Sequence, residues 1–138
     1  MPTSVRFEVF PADLEICIAF YTDVLRFTLL QRKDGYAYFQ RDRIFIGAAD
    51  QSNFEWADVQ RVDRSSRKPP TGVEIVIEVD DLEAERDWVV RKGWTLDADI
   101  KLQSWGLRDF RIMDPDGFYL RVTEHISKGQ REAVEGEM

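Results

Sequence analysis

Few side chains in this chain could make or break bonds. It holds one histidine, His125, and one cysteine, Cys17. Cys17 lies beside the apolar stripe of a predicted helix and reads as an inert packing residue. His125 follows the last apolar run, close to a polar tail, and is assigned no role. Ser65-Ser66 sits in a polar stretch with no histidine near it in sequence, so it offers no activated nucleophile. Asp114-Pro115-Asp116-Gly117 superficially suggests a calcium loop. The spaced acidic ligands and terminal glutamate of such a loop are missing, and a turn explains the segment. What the sequence does offer is rings and mixed charges. Tyr36, Tyr38, Phe45, Phe54 and Trp56 offer flat rings by strand face or loop position, and a stacked pair adds roughly 0.5–1.5 kcal/mol beyond burial. Glu8, Glu74 and Glu78 would favour a cationic ligand, whereas Arg6, Arg43 and Arg121 would neutralise them internally. Ligand charge stays open.

The elements that position these residues come in two copies. Phe7-Glu8-Val9-Phe10 followed by Asp13-Leu14-Glu15 reappears 68 positions later as Ile75-Val76-Ile77-Glu78 followed by Asp81-Leu82-Glu83, with Trp88 opposite Phe20. In both, an alternating apolar run leads to an Asp that caps a helix. Leu14, Ile18, Tyr21 and Leu25 recur at spacings of three and four, which predicts a buried stripe on the first helix. Leu82, Trp88 and Val89 pattern the second less cleanly. A strand follows each helix, predicted at Phe27-Thr28-Leu29-Leu30 and at Trp94-Thr95-Leu96. Asp34-Gly35 predicts a type I′ hairpin into Tyr36-Ala37-Tyr38-Phe39, and a strand from Arg43 to Ala48 comes next. Asp114 to Gly117 predicts a second hairpin between Arg108–Met113 and Phe118–Glu124.

The fold class is therefore α+β: two β-α-β-β-β modules, about 5–49 and 73–125, whose curved mixed sheets surround a groove. Together they form one domain over 1–125, with 50–72 as a connecting loop and 126–138 as a flexible tail. Strand alternation puts Phe7 and Val9 on one face against Arg6, Glu8 and Phe10, and Ile75 and Ile77 against Glu74, Val76 and Glu78. Ile44 and Ile46 oppose Arg43, Phe45 and Gly47, while Leu120 and Val122 oppose Tyr119, Arg121 and Thr123. One face packs on helices and the other is polar and aromatic. An ordinary sheet with one solvated face has the same pattern.

Lys plus Arg number 19 against 26 Asp plus Glu, a net charge of −7 without any dense basic run, which argues against nucleic acid as partner. No apolar run approaches the roughly 20 residues that span a bilayer, so no membrane is expected. Met1-Pro2-Thr3-Ser4 opens no signal-peptide pattern, and the lone cysteine forms no internal disulfide. The expected location is the cytoplasm.

Phe20-Tyr21-Thr22-Asp23-Val24-Leu25, Val79-Asp80-Asp81-Leu82 and Trp105-Gly106-Leu107-Arg108-Asp109-Phe110 through Gly117 resemble the vicinal oxygen chelate superfamily of glyoxalases, bleomycin-resistance proteins and extradiol dioxygenases. The resemblance implies paired modules enclosing a ligand or metal site that a second chain frequently completes. Its enzymes hold a divalent metal by His, Gln or Glu from the first and last strands of each module. Those places fall here on Arg6, Phe45, Glu74 and Arg121, with Gly47 the alternative to Phe45. A guanidinium has no lone pair to give, and about three protein ligands are needed, so neither metal nor other cofactor is expected. Trp-Gly-x-Arg-Asp-Phe brings the chain nearest the bleomycin-resistance proteins, which are not enzymes and sequester a drug in grooves at a homodimer interface. Trp105 matches a tryptophan lining that groove. The implied site is Trp105, Tyr36, Tyr38, Phe45, Phe54, Trp56, Glu74, Arg121 and Arg6, for an aromatic or glycopeptide antibiotic. The alternatives are a lyase or dioxygenase with an atypical metal site, and a structural or regulatory dimer with a vestigial groove.

Overall fold

The computed structural model describes residues 2–53 and 73–126. Phe54, Trp56, Ser65 and Ser66, most of the 50–72 loop and nearly all of the tail lie outside these residues. The chain divides into two compact units; the described part of the first runs to residue 53 and also takes in Met113–Phe118, and the second holds 73 to Ile112 and Tyr119 to 126.

The first unit begins with β1 (Phe7–Val9) and then α1 (Leu14–Ala19). Asp13 caps α1, its carboxylate accepting from the Ile16 N–H at 3.2 Å. The helix widens at once into a π-helical turn, Phe20–Val24, which closes with Leu25 N–H donating to the Phe20 carbonyl at 3.2 Å. The predicted stripe of Leu14, Ile18, Tyr21 and Leu25 is buried, and Cys17 is buried beside it. β2 (Thr28–Lys33), β3 (Tyr36–Arg41) and β4 (Ile44–Ala49) follow, in the sheet order β1-β4-β3-β2 with β1 parallel to β4. Gly35 takes φ 73° between β2 and β3, but Asp34 is not among the positive-φ residues, so the turn is not the predicted type I′. One positive φ is enough there because only glycine is needed at the second place. Phe20, Phe27 and Phe39 surround the Tyr21 ring with centroids 5.0–5.9 Å away, which makes an aromatic core.

The buried Tyr21 hydroxyl donates to Asp114 at 2.9 Å. Asp114 Oδ1 also accepts the N–H groups of Asp116 and Phe118, each at 2.9 Å, and Gly117 supplies φ 88°. The Asp-Pro-Asp-Gly segment is a turn, as its residue types require.

The second unit repeats the plan: β5 (Ile75–Val79), α2 (Leu82–Arg91), β6 (Ala98–Leu102), β7 (Arg108–Met113) and β8 (Tyr119–Glu124), in the order β5-β8-β7-β6 with β5 parallel to β8. Leu82, Val89, Ile77, Phe110, Ile112, Leu120 and Val122 form its core. The strand predicted at Trp94-Thr95-Leu96 lies further on, at Ala98–Leu102. Gly93 takes φ 81°, its N–H donates to the Val90 carbonyl at 2.9 Å and the Trp94 N–H to the Val89 carbonyl at 3.2 Å, a Schellman motif. Trp94 therefore ends a helix instead of starting a strand. Two β-α-β-β-β modules with four-stranded mixed sheets are the result. Among the described residues no helix is long and apolar enough to cross a membrane.

Candidate functional site

The polar face of the first unit is built around Gly47. β1 and β4 pair Glu8 with Gly47, and β3 and β4 pair Tyr38 with Gly47, so these three residues share one row across the sheet. Two residues along each strand, Arg6, Phe45 and Tyr36 lie on the same face. Arg6 Nε donates to Glu8 Oε1 at 2.7 Å, and the Tyr36 hydroxyl donates to the same oxygen at 3.0 Å. A methyl group at position 47 would collide with the Tyr36 hydroxyl and with both carboxylate oxygens of Glu8. Absence of a side chain at Gly47 is what lets that carboxylate lie over the strand. Burial, and then the bond to Glu8, push the Tyr36 phenol above its ordinary value. Tyr38 and Phe45 stack beside this cluster, centroids 6.1 Å apart and planes 16° apart.

In the second unit the corresponding face carries Glu74, Val76 and Glu78 on β5 and Tyr119, Arg121 and Thr123 on β8. Val76 and Arg121 are register partners. Arg121 Nη2 lies 3.0 Å from the Glu74 carboxylate, and its guanidinium carbon sits 5.4 Å from the Trp105 ring centre. Trp105 is at the tip of the β6–β7 hairpin, beside Gly106 at φ 93°, and is 49% exposed. Sequence reasoning missed a second network on this face. Arg111 donates to the Tyr119 hydroxyl at 2.9 Å and to Asp109 at 3.3 Å, and Gln103 donates to Asp109 at 3.0 Å. Asp109 is only 1% exposed, so these donors satisfy a buried carboxylate. Alternation along β7 was the signal for it, since Asp109 and Arg111 oppose the core residues Phe110 and Ile112.

Other candidates are placed elsewhere. Arg108, of the Trp-Gly-x-Arg-Asp-Phe segment, binds Glu124 through its backbone N–H, Nε and Nη2, and reaches Glu83 with Nη1. Glu78 accepts the Ile126 N–H at 3.2 Å, and His125 lies 2.9 Å from Asp80.

Residues 3–122 match the family model described as the Glyoxalase/Bleomycin resistance protein/Dioxygenase superfamily. The chain belongs to this superfamily. Solved structures share the fold of this superfamily member at low identity. A protein of unknown function from Agrobacterium tumefaciens is 22% identical, with 91% of this chain and 96% of that one covered and a TM-score of 0.71. A glyoxalase/bleomycin resistance protein/dioxygenase from Nocardioides is 19% identical, with 94% and 87% covered and a TM-score of 0.71. A glyoxalase-related enzyme from Fulvimarina pelagi is 16% identical, with 90% and 89% covered and a TM-score of 0.70. A search of curated proteins gave no match.

The superfamily's metal-ligand places can now be read from strand register. Glu8 pairs with Gly47 in the first unit as Val76 pairs with Arg121 in the second, so Gly47, and not Phe45, corresponds to Arg121. The motif spacing had placed it two residues early. The four places thus hold Arg6, Gly47, Glu74 and Arg121. Among the described residues no cluster of three His, Cys, Asp or Glu could hold a metal ion. Glu74, the one donor at these places, is already against a guanidinium. The donor set does not fit a divalent cation.

Proposed function

We propose that this superfamily member is a metal-free binding protein that sequesters an aromatic or glycopeptide antibiotic, in grooves completed by a second copy of the chain. One observation carries the reading. The places where a metal enzyme of the superfamily presents donors bear two arginines, a glycine and one glutamate already held by a guanidinium, and aromatic platforms stand beside them: Tyr38 on Phe45, and Trp105 on Arg121. Flat ligands gain from stacking on such surfaces, and the charged groups around them fix orientation. Phe54 and Trp56 remain candidates for the same walls by their place in the sequence. Binding without bond cleavage is the activity.

The test is a panel of aromatic and glycopeptide natural products screened for ligand-dependent thermal stabilisation. A genuine ligand at a hundred times its Kd adds about 2.7 kcal/mol. Expression in bacteria should then raise tolerance to that compound, and light scattering at micromolar concentration should give a dimer. Stoichiometric Fe, Mn, Ni or Zn in protein purified without chelator would overturn this reading in favour of a lyase or dioxygenase.

A further inference from the structure

Besides Arg111, which meets Asp109, three arginines of the second unit meet carboxylates, and they do so differently. Arg86 donates Nε and Nη2 to the two oxygens of Asp99 at 2.9 and 2.7 Å and Nη1 to Asp87 at 3.1 Å. Arg108 engages Glu124 through Nε and Nη2 and Glu83 through Nη1. Both forks are filled as guanidinium geometry favours. Arg121 is held through Nη2, 3.0 Å from one oxygen of Glu74, and its buried Nε has no hydrogen-bond partner. A buried donor left without an acceptor is costly, so the Arg121 cation is under-satisfied where the other two are not.

Its surroundings suit a flat partner. Trp105 lies over the guanidinium and remains 49% exposed, while Val76, the register partner of Arg121, is 39% exposed. An apolar wall beside a cation weakens water's competition for it. Of the other charges on this face, Asp109 is buried and bound by Arg111 and Gln103, and so is closed to a ligand. Glu74 is the carboxylate in contact with Arg121, and its side chain is one-third exposed.

Resting on the sequestration reading above, we infer that Arg121 and Trp105 form a subsite for an anionic oxygen carried on an aromatic ring, an aromatic carboxylate in its simplest form. The ring stacks on Trp105, and the carboxylate competes with Glu74 for the guanidinium. Glu74 is an internal stand-in for the ligand's own anion.

The probes are anthracene-9-carboxylate and 9-aminoacridine, flat rings of similar size and opposite charge, titrated by fluorescence against the full chain. The wild type should prefer the carboxylate. Arg121→Gln should weaken carboxylate binding roughly tenfold, the scale of a hydrogen bond to a charged group. Glu74→Gln keeps the side chain's shape, removes the competing charge, and should tighten carboxylate binding several-fold; it also serves if Arg121→Gln folds poorly. Carboxylate affinity that falls in Glu74→Gln, or is unchanged in a folded Arg121→Gln, overturns the inference. Binding of 9-aminoacridine alone overturns it and leaves the sequestration reading standing. Binding of neither probe counts against both.

Discussion

At the scale of single residues, two positions shape the polar faces. Gly47 is empty so that Glu8 and Tyr36 can lie over it. The Glu8 carboxylate ends a flexible side chain and can swing aside, whereas the Tyr36 ring is packed against Phe10 and Ala49, so Gly47→Ala should cost about 1–3 kcal/mol, lost hydrogen bonds plus overpacking. In a Glu8→Ala background the same change should cost less, by the share that belongs to Glu8, with the Tyr36 contact remaining. Urea unfolding of the single and double variants measures the difference, and equal costs in both backgrounds would show that Glu8 is not what Gly47 accommodates. Trp105 is the other position. Half its surface is open and its one described ring contact is to Arg121, a cation–π pair worth about 0.5–1 kcal/mol at exposed sites. Trp105→Ala should therefore lower stability by about 1 kcal/mol or less and weaken ligand binding roughly thirtyfold, the scale of an aromatic anchor. A stability loss of about 3 kcal/mol or more with unchanged affinity would make Trp105 a core residue instead.

At the scale of elements, the turn from Asp114 to Gly117 is more than a connector. Burial pushes the Asp114 carboxyl up to about 6, against the pull of donors from Phe118, Tyr21 and Asp116. A carboxyl whose folded value lies above its unfolded value of about 3.9 favours the fold while protonated. Its contribution is complete below pH about 4 and is lost as pH rises through 6. Asp114→Asn keeps the shape and cannot ionise. Between pH 4 and 7 the wild type should lose up to about 3 kcal/mol relative to that variant. Urea midpoints across this range check the slope; parallel profiles would contradict it. Sequence pattern announced the turn itself, both Asp helix caps and the first helix's stripe, since each is written in local residue types. It could not announce that α1 widens into a π-helical turn, because the apolar spacing is satisfied by either winding. Nor did it anticipate that Gly93 and Trp94 belong to a helix end; Trp-Thr-Leu has strand character in isolation, and the helix's orphan carbonyls claimed its first N–H.

At the scale of the whole chain, the repeat was legible because duplicated alternation and capping survive in the residues themselves. Site register was less legible. Counting by motif chose Phe45, whereas pairing through the sheet identifies Gly47, a position whose lack of a side chain gives pattern reasoning nothing to hold. The repeats also differ in how their first strand is fastened. β1 is three residues long with three register pairs to β4, and its ion pair, Arg6 to Glu8, runs along the strand. β5 has five register pairs to β8, and the Glu74–Arg121 contact bridges those two strands. Opening free energies within one protein range from nearly nothing at frayed edges up to the global value. Deuterium should therefore enter the amides of Phe7–Val9 well before those of Ile75–Val79, and mass-resolved exchange at neutral pH would time the gap. On that expectation the repeated plan yields one strand that breathes and one that stays shut.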